Sequence, residues 1–472
     1  MTLRSVLSLC LVLFPGLTLP AQAGEDPWLE KTFVLGAAGA MPKGKLSQPE
    51  LQNLIRIGEQ LFTAKFTTLD GAGRPGATQA IIPTRARHRP AQAFARTSGP
   101  DSNACSSCHN DPVAGGAGDF VTTVFVSEGF ANADFDTTDP QFSNERGTNH
   151  LFGAGLIEML AREMSADMTR LRAQALEQAA AGKPVRIDLI SKGVSFGRLT
   201  AMPDGLVDLK ELDGIDTDLV VRPFSQKGVM TSLRQFTVNA MNHHHGMQAD
   251  ERYGKRWTGT DDFDDDGTEL ELSAGDVSAL VAWQATLPPP VQKIADDERW
   301  REAAGKGALL MDDFGCSACH IPALPLRALT FADPGPFDVS GTLNDRQVDQ
   351  PAVYDLALMQ WAAGLKRNDK GEVLVPLYGD LKRHKMTDRS IELLGNELLS
   401  QRFVDRDIFM TSELWGVGST APYGHRNDFT TLDEIILAHG GDARDARDRY
   451  LKADDAARSH LIAFLRTLVI EP

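Results

Sequence analysis

Cys105-Ser106-Ser107-Cys108-His109 recurs once along the chain, as Cys316-Ser317-Ala318-Cys319-His320. Cys-x-x-Cys-His is the attachment site of a c-type haem: both thiols add across the haem vinyl groups and the adjacent histidine ligates the iron. Two intervening residues set the sulfurs about one helical turn apart, and the next residue points its imidazole at the metal. A Cys-x-x-Cys redox pair or half of a zinc site is the alternative. Two copies, each followed at once by histidine and with no other cysteine nearby, argue against it, since tetrahedral zinc would need distant pairs to meet. Two covalently attached c-type haems are expected.

Working outward, the chain repeats itself around each motif. Leu51, Leu54, Ile55, Gly58, Leu61 and Phe62 recur at three- and four-residue steps and predict a helix from Pro49 to Phe62, with proline where a helix start tolerates it. Gly307-Ala308-Leu309-Leu310-Met311 repeats the pattern of Gly58-Glu59-Gln60-Leu61-Phe62. At the far end of each unit, the stretch from Ser278 to Leu287 matches that from Ser459 to Leu468 in character. Each unit therefore opens on a Gly-containing helix, carries one haem motif and closes on an aromatic-bearing helix. Pro288-Pro289-Pro290 separates the units. The predicted fold is mainly α, two cytochrome c-like domains in tandem at residues 24–290 and 291–472, the first with a large insertion.

Residues 1–23 read as a secretory signal, with Arg4 at the positive end, an apolar run from Leu7 to Leu13 and Ala21-Gln22-Ala23 as a small-residue cleavage site. Of the 5 cysteines, Cys10 lies inside that signal, which leaves four for haem and none for a disulfide. No later apolar run is long enough to span a bilayer. Haem of this type is attached outside the bacterial cytoplasmic membrane, so a periplasmic location is expected. A net charge of -16 argues against nucleic acid and anionic membrane surfaces as partners, and remains compatible with a basic electron-transfer protein.

Three stretches of the insertion carry candidate chemistry. His150 opens an apolar segment with one interior acid, Glu158. An acid among apolar neighbours is costly to bury unless paired or protonated, so either it faces water or it is a proton-transfer group above an open haem. His243-His244-His245 cannot all face one metal from regular structure, yet one could be a distal haem group, an axial ligand or a copper ligand. Asp262, Asp264 and Asp266, followed by Gly267, match the opening of a calcium loop. Ser273 stands where the closing glutamate belongs, leaving Glu271 or Asp276 to close a variant loop. In the second unit, Leu432, Ile435, Ile436 and His439 fall on one helical face that a double glycine ends, and axial ligation is preferred for His439.

With these motifs and Ala421-Pro422-Tyr423-Gly424-His425 in place, the chain resembles the bacterial di-haem cytochrome c peroxidase and MauG superfamily, and within it the branch called di-haem oxidoreductases. The likeness is strongest from Gly315 to Leu468. Trp415-Gly416-Val417-Gly418, His425-Arg426-Asn427 and the run from Ile436 to Asp442 are similar to that branch's Leu-Trp-Gly-Leu-Gly, His-Asp-Gly-Arg and Ile-Leu-x-His-Gly-Gly-Glu patterns, with Asn427 where glycine is usual. The resemblance implies an open, reactive haem 1 held by His109 and an electron-relaying haem 2 held by His320 and His439, with His425 in reserve. It implies Glu158 as the distal acid-base group of haem 1.

Counting back from the closing helices, the place equivalent to His439 is Thr258, beside Trp257, and neither is a usual sixth ligand. An oxidoreductase is therefore expected, reducing hydrogen peroxide, or using it on a small-molecule or protein substrate, with electrons from a periplasmic donor protein. The alternative is a non-catalytic di-haem electron carrier, in which His150 or one of His243 to His245 closes haem 1. A homodimer is an expectation of the resemblance alone.

Overall fold

The computed structural model describes residues 30, 36, 38–73, 104–126, 143–263, 266–339, 341–397 and 401–471. The expected signal at residues 1–23 and the candidate ligand Asp264 lie outside them. Helix α1, Gln48–Thr63, starts at Ser47, whose backbone N–H donates to Glu50 in a capping box. Its buried face is Leu51, Leu54, Ile57, Gly58, Leu61 and Phe62. Ile57, rather than the expected Ile55, takes the inner place, because it lies three residues after Leu54 and four before Leu61.

After α1 come the single turn α2, Cys105–Cys108, and the long α3, Ala154–Ala179. An antiparallel meander of Val185–Ser191, Val194–Ala201 and Val207–Asp208 packs on α3. Then follow α4, Leu233–His244, the short α5, Asp250–Tyr253, and α6, Lys255–Thr258, and α7, Ala274–Thr286. The second half holds α8, Glu298–Phe314, α9, Leu432–Leu437, α10, Arg444–Lys452, and α11, Asp455–Leu465. Short strands lie between α8 and α9, so the described residues mix helix with strand and are less purely helical than the motifs suggest. No helix among them is long and apolar enough to cross a membrane.

The internal repeat is real in three dimensions. Helix α1 packs on α7, and α8 packs on α11. Gly58 abuts the Ala279 carbonyl, which a Cβ would meet at 2.0 Å, and Gly307 stands in the same relation to the His460 carbonyl, also at 2.0 Å. The helices touch backbone to backbone where only glycine fits, with Trp283 and Phe464 beside the two contacts.

The linker from Leu287 to Asp297 separates α7 from α8 as expected, yet the core does not divide there. Leu324, Phe331, Tyr354 and Val375, from the second half, are buried in one cluster with Leu51, Leu160, Phe196 and Val281 from the first. Strand Gly44–Lys45 pairs in parallel with Ala352–Asp355. Arg234 of α4, 1% exposed, lies between Glu251 of α5 and Asp333, and the Asp333 carboxylate also accepts from Ser278 and Tyr354. A smaller cluster of Met311, Phe314, Leu432, Tyr450, Leu461 and Phe464 supports the second motif.

Candidate functional site

Both pentapeptides form the single turn their spacing requires. The His109 amide donates to the Cys105 carbonyl at 3.0 Å, and the His320 amide to the Cys316 carbonyl at 2.9 Å. Gly315, at φ +83°, ends α8 and turns the chain directly into the second motif. The helix pairs back each site. Phe62 of α1 lies 5.9 Å from the His109 ring and 4.2 Å from that of Trp283.

The two turns open on one cavity of about 710 Å³, lined by all four cysteines and by His109, His320 and His439. Nδ1 of His320 is 3.2 Å from the Tyr378 carbonyl, and Nδ1 of His439 is 2.7 Å from that of Ile435. A carbonyl only accepts, so in both rings Nδ1 carries the hydrogen and Nε2 keeps its lone pair, as a ligating histidine requires. Burial, with the neighbouring His439 second, pushes the His320 imidazole down to about 4. His439 itself follows Leu437, the last residue of α9, rather than lying inside the helix.

The histidine cluster ends α4, and all three of its members line the cavity. Nε2 of His245 is 3.7 Å from the Cys105 sulfur, beside the first motif. His244 faces the same space as His109, and after burial the nearest influence holding its imidazole down to about 4 is His109. His109 is likewise held to about 4 by burial. Each motif histidine thus has a second imidazole near it, His244 for His109 and His439 for His320.

Other candidates, His150 among the cavity-lining residues, also make hydrogen bonds within the protein. Nε2 of His150 lies 3.0 Å from the Trp415 carbonyl, tying the two halves together. His425 lines the cavity, but its Nε2 is 2.9 Å from Asn396 Oδ1 and 3.3 Å from the Glu397 carboxylate. Glu158 neither faces water nor lines the cavity. It is 0% exposed, ion-paired with Arg162 one turn along α3, and accepts the Leu233 amide at 2.7 Å. The acid expected above haem 1 is sealed in the protein instead, because α3 directs its carboxylate toward the start of α4.

The acidic loop folds onto its own backbone. Asp262 accepts the amides of Asp266 at 3.2 Å and Gly267 at 3.1 Å. Glu271 accepts the Gln248 amide, and Asp276 caps α7 while accepting the Ala38 amide, so both expected closing residues are engaged elsewhere. Among the described residues, the one group of acids, cysteines and histidines within reach of a single ion is Cys319, Asp380 and His384. It includes a motif cysteine.

Arg146 and Glu413 line the cavity with no sequence motif to mark them, beside Trp415, which the sequence marks only as part of a family pattern. Arg146 Nη2, Trp415 Nε1 and Glu413 Oε1 are buried without a hydrogen-bonding partner among the described residues, and their side chains line the cavity. Burial pushes the Glu413 carboxyl up to about 7. Neutral imidazoles in pairs, thiols one turn apart and unpartnered donors in the wall are the groups that two haems with their propionates require.

Residues 371–468 match a family described as "Di-haem oxidoreductase, putative peroxidase". Over that segment, about a fifth of the chain, the sequence is similar to the di-haem oxidoreductases. The matched segment carries Trp415, His425 and His439, while both Cys-x-x-Cys-His motifs precede it. No curated protein matches the chain. Among solved structures, hydrazine synthase of Kuenenia stuttgartiensis is 12% identical, covers 94% of this chain and 100% of its own, and has a TM-score of 0.36. A MauG-like protein associated with microbial copper homeostasis is 16% identical, covers 66% of this chain and 88% of its own, and scores 0.27. At such scores neither bears on the fold.

Proposed function

We propose that the chain is a periplasmic di-haem c-type oxidoreductase of two cytochrome c-like units, acting on hydrogen peroxide at haem 1 with haem 2 relaying electrons. Cys105 and Cys108 would tether haem 1, with His109 on its iron. Cys316 and Cys319 would tether haem 2, between His320 and His439. The observation that carries this is the single cavity lined by both pentapeptides, with His439 beside His320. Haem supplies the redox chemistry when bound. The protein's own part is to hold neutral imidazoles by carbonyl hydrogen bonds and to wall the site with Phe62, which packs on Trp283. Peroxide, or a substrate it oxidises, and a periplasmic electron-donor protein are the partners of this proposal.

A second reading has its own observation. His244 and His109 line the same cavity as His439 and His320 do, and His244 would hold haem 1 as a second protein ligand in a non-catalytic di-haem carrier. Electron paramagnetic resonance of the oxidised protein, before and after one equivalent of hydrogen peroxide, separates the two. One high-spin haem whose signal is lost on adding peroxide supports the enzyme. Two low-spin haems indifferent to peroxide, in the oxidised and the half-reduced protein alike, support the carrier. In that case His244→Gly should turn haem 1 high-spin.

A further inference from the structure

The wall of the cavity contains a buried cluster with more positive than negative charge. Arg146, on strand Ser143–Gly147, has a side chain 7% exposed, and its Nη1 lies 2.5 Å from Glu397, itself 0% exposed. Lys227, also 0% exposed, is 3.5 Å from the other oxygen of the same Glu397. Its ammonium donates to the carbonyls of Asp405, Arg406 and Ile408 and lies 3.5 Å from the centre of the Phe409 ring. Burial pushes Lys227 down to about 8, which leaves it charged at neutral pH. His425, beside Glu397, adds no anion: burial and the nearby cations hold it neutral, down to about 2. Arg426 is spoken for by Glu145 at 2.7 Å.

Two cations therefore share one carboxylate in a place where an uncompensated charge is expensive. The compensation has an obvious direction. Arg146 Nη2 has no hydrogen-bonding partner among the described residues, and Arg146 lines the cavity together with Asn149, Gln226 and Asn427. With Nη1 held by Glu397 and the Glu145 carbonyl and Nη2 open, the guanidinium presents N–H donors to an anion in the cavity.

We propose that Arg146 anchors a carboxylate inside the cavity shared by the two motifs. Resting on the di-haem reading, one source is a haem propionate, which would be fixed there. The other is the carboxylate of a free substrate. The cluster of Arg146, Lys227 and Glu397 is the positioning device in both cases.

The test uses the haem-loaded protein, after pyridine haemochrome analysis has shown two c-type haems per chain. Failure at that step removes the di-haem reading itself and is distinct from failure of the anchor. Midpoint potentials are then measured across the mildly acidic to neutral range, and the Soret band is titrated with sodium acetate. A propionate at Arg146 gives a wild-type potential independent of pH and of acetate. Arg146→Gln then lowers one midpoint by at least tenfold in the reduction equilibrium, about 59 mV for one electron, and makes it vary with pH. A free-carboxylate site gives a saturable acetate shift in the wild type, at least tenfold weaker in Arg146→Gln, with potentials unchanged. Glu397→Gln is the second variant, useful should Arg146→Gln not fold. Removing the Glu397 charge must raise the midpoint or tighten acetate, the opposite sign from losing Arg146. Potentials and acetate response that match the wild type in the variants overturn the proposal.

Discussion

Gly58 rests on the carbonyl of Ala279 so closely that a Cβ would lie 2.0 Å from its oxygen. Gly307 repeats the contact on His460, while Gly305, two residues earlier in α8, has nothing within 4 Å of its would-be Cβ. Gly58→Ala and Gly307→Ala must therefore push two helices apart, and each is expected to cost about 1–3 kcal/mol or more. Gly305→Ala should stabilise by roughly 0.5–1 kcal/mol, since it only restrains the unfolded chain and favours helix. Thermal denaturation of the three variants checks the contrast. Equal effects at 305 and 307 would rule out the backbone contact.

Arg234 is buried between Glu251 and Asp333, joining α4 and α5 to a strand from the second half of the chain. Arg234→Met leaves two buried carboxylates facing each other without a cation. The expected loss is about 3–5 kcal/mol, read as a lower urea midpoint. Adding Glu251→Gln and Asp333→Asn to the same chain should recover part of it.

His439 and His425 separate cleanly by their partners. The His439 Nδ1–H is held by Ile435, whereas the His425 ring is engaged by Asn396 and packed 4.4 Å from Phe409. His439→Ala should convert one of the two haems to high spin and leave about half of the low-spin signal if both start low-spin. His425→Gln should leave the spin state alone and lower stability. The reverse pattern would make His425 the ligand.

Glu158 gives the protein a pH dependence of known sign. Burial pushes its carboxyl up to about 7, against the attraction of Arg162. The folded state therefore holds this proton more tightly than the unfolded chain does. Stability supplied by the protonated form is full below the ordinary carboxylate range and declines as pH rises toward about 7, by at most about 1.4 kcal/mol per unit. Glu158→Gln should flatten that part of the profile. Urea denaturation of both proteins at several pH values is the measurement, and identical slopes would count against it.

The features legible in the sequence are those set by local spacing. Cys-x-x-Cys-His closes one turn whatever surrounds it, and Gly58 with Trp283 finds its counterpart in Gly307 with Phe464 because the helix pairs repeat in register. What stayed hidden depends on distant partners. Glu158 and Arg162 are one turn apart and readable as a pair, but the Leu233 amide that completes the seal lies on another helix. Arg146 and Lys227 look like ordinary surface cations until Glu397 is placed between them. The acidic loop has the right opening residues for an ion, yet Glu271 and Asp276 are drawn to Gln248 and to the start of α7 by backbone amides that no spacing rule foretells.

Strand Gly44–Lys45 and helix α1 belong to a core that is completed by Leu324, Phe331, Tyr354 and Val375. During synthesis those residues emerge long after the first pentapeptide does. The amino-terminal half must therefore wait, with an apolar face uncovered, until most of the chain has been made. Cys105 and Cys108 pass through that interval on an unfinished scaffold, whereas Cys316 and Cys319 emerge when the missing strands are about to follow. Attachment of the two haems would thus meet two different folding states of one polypeptide, although their binding sequences are nearly the same.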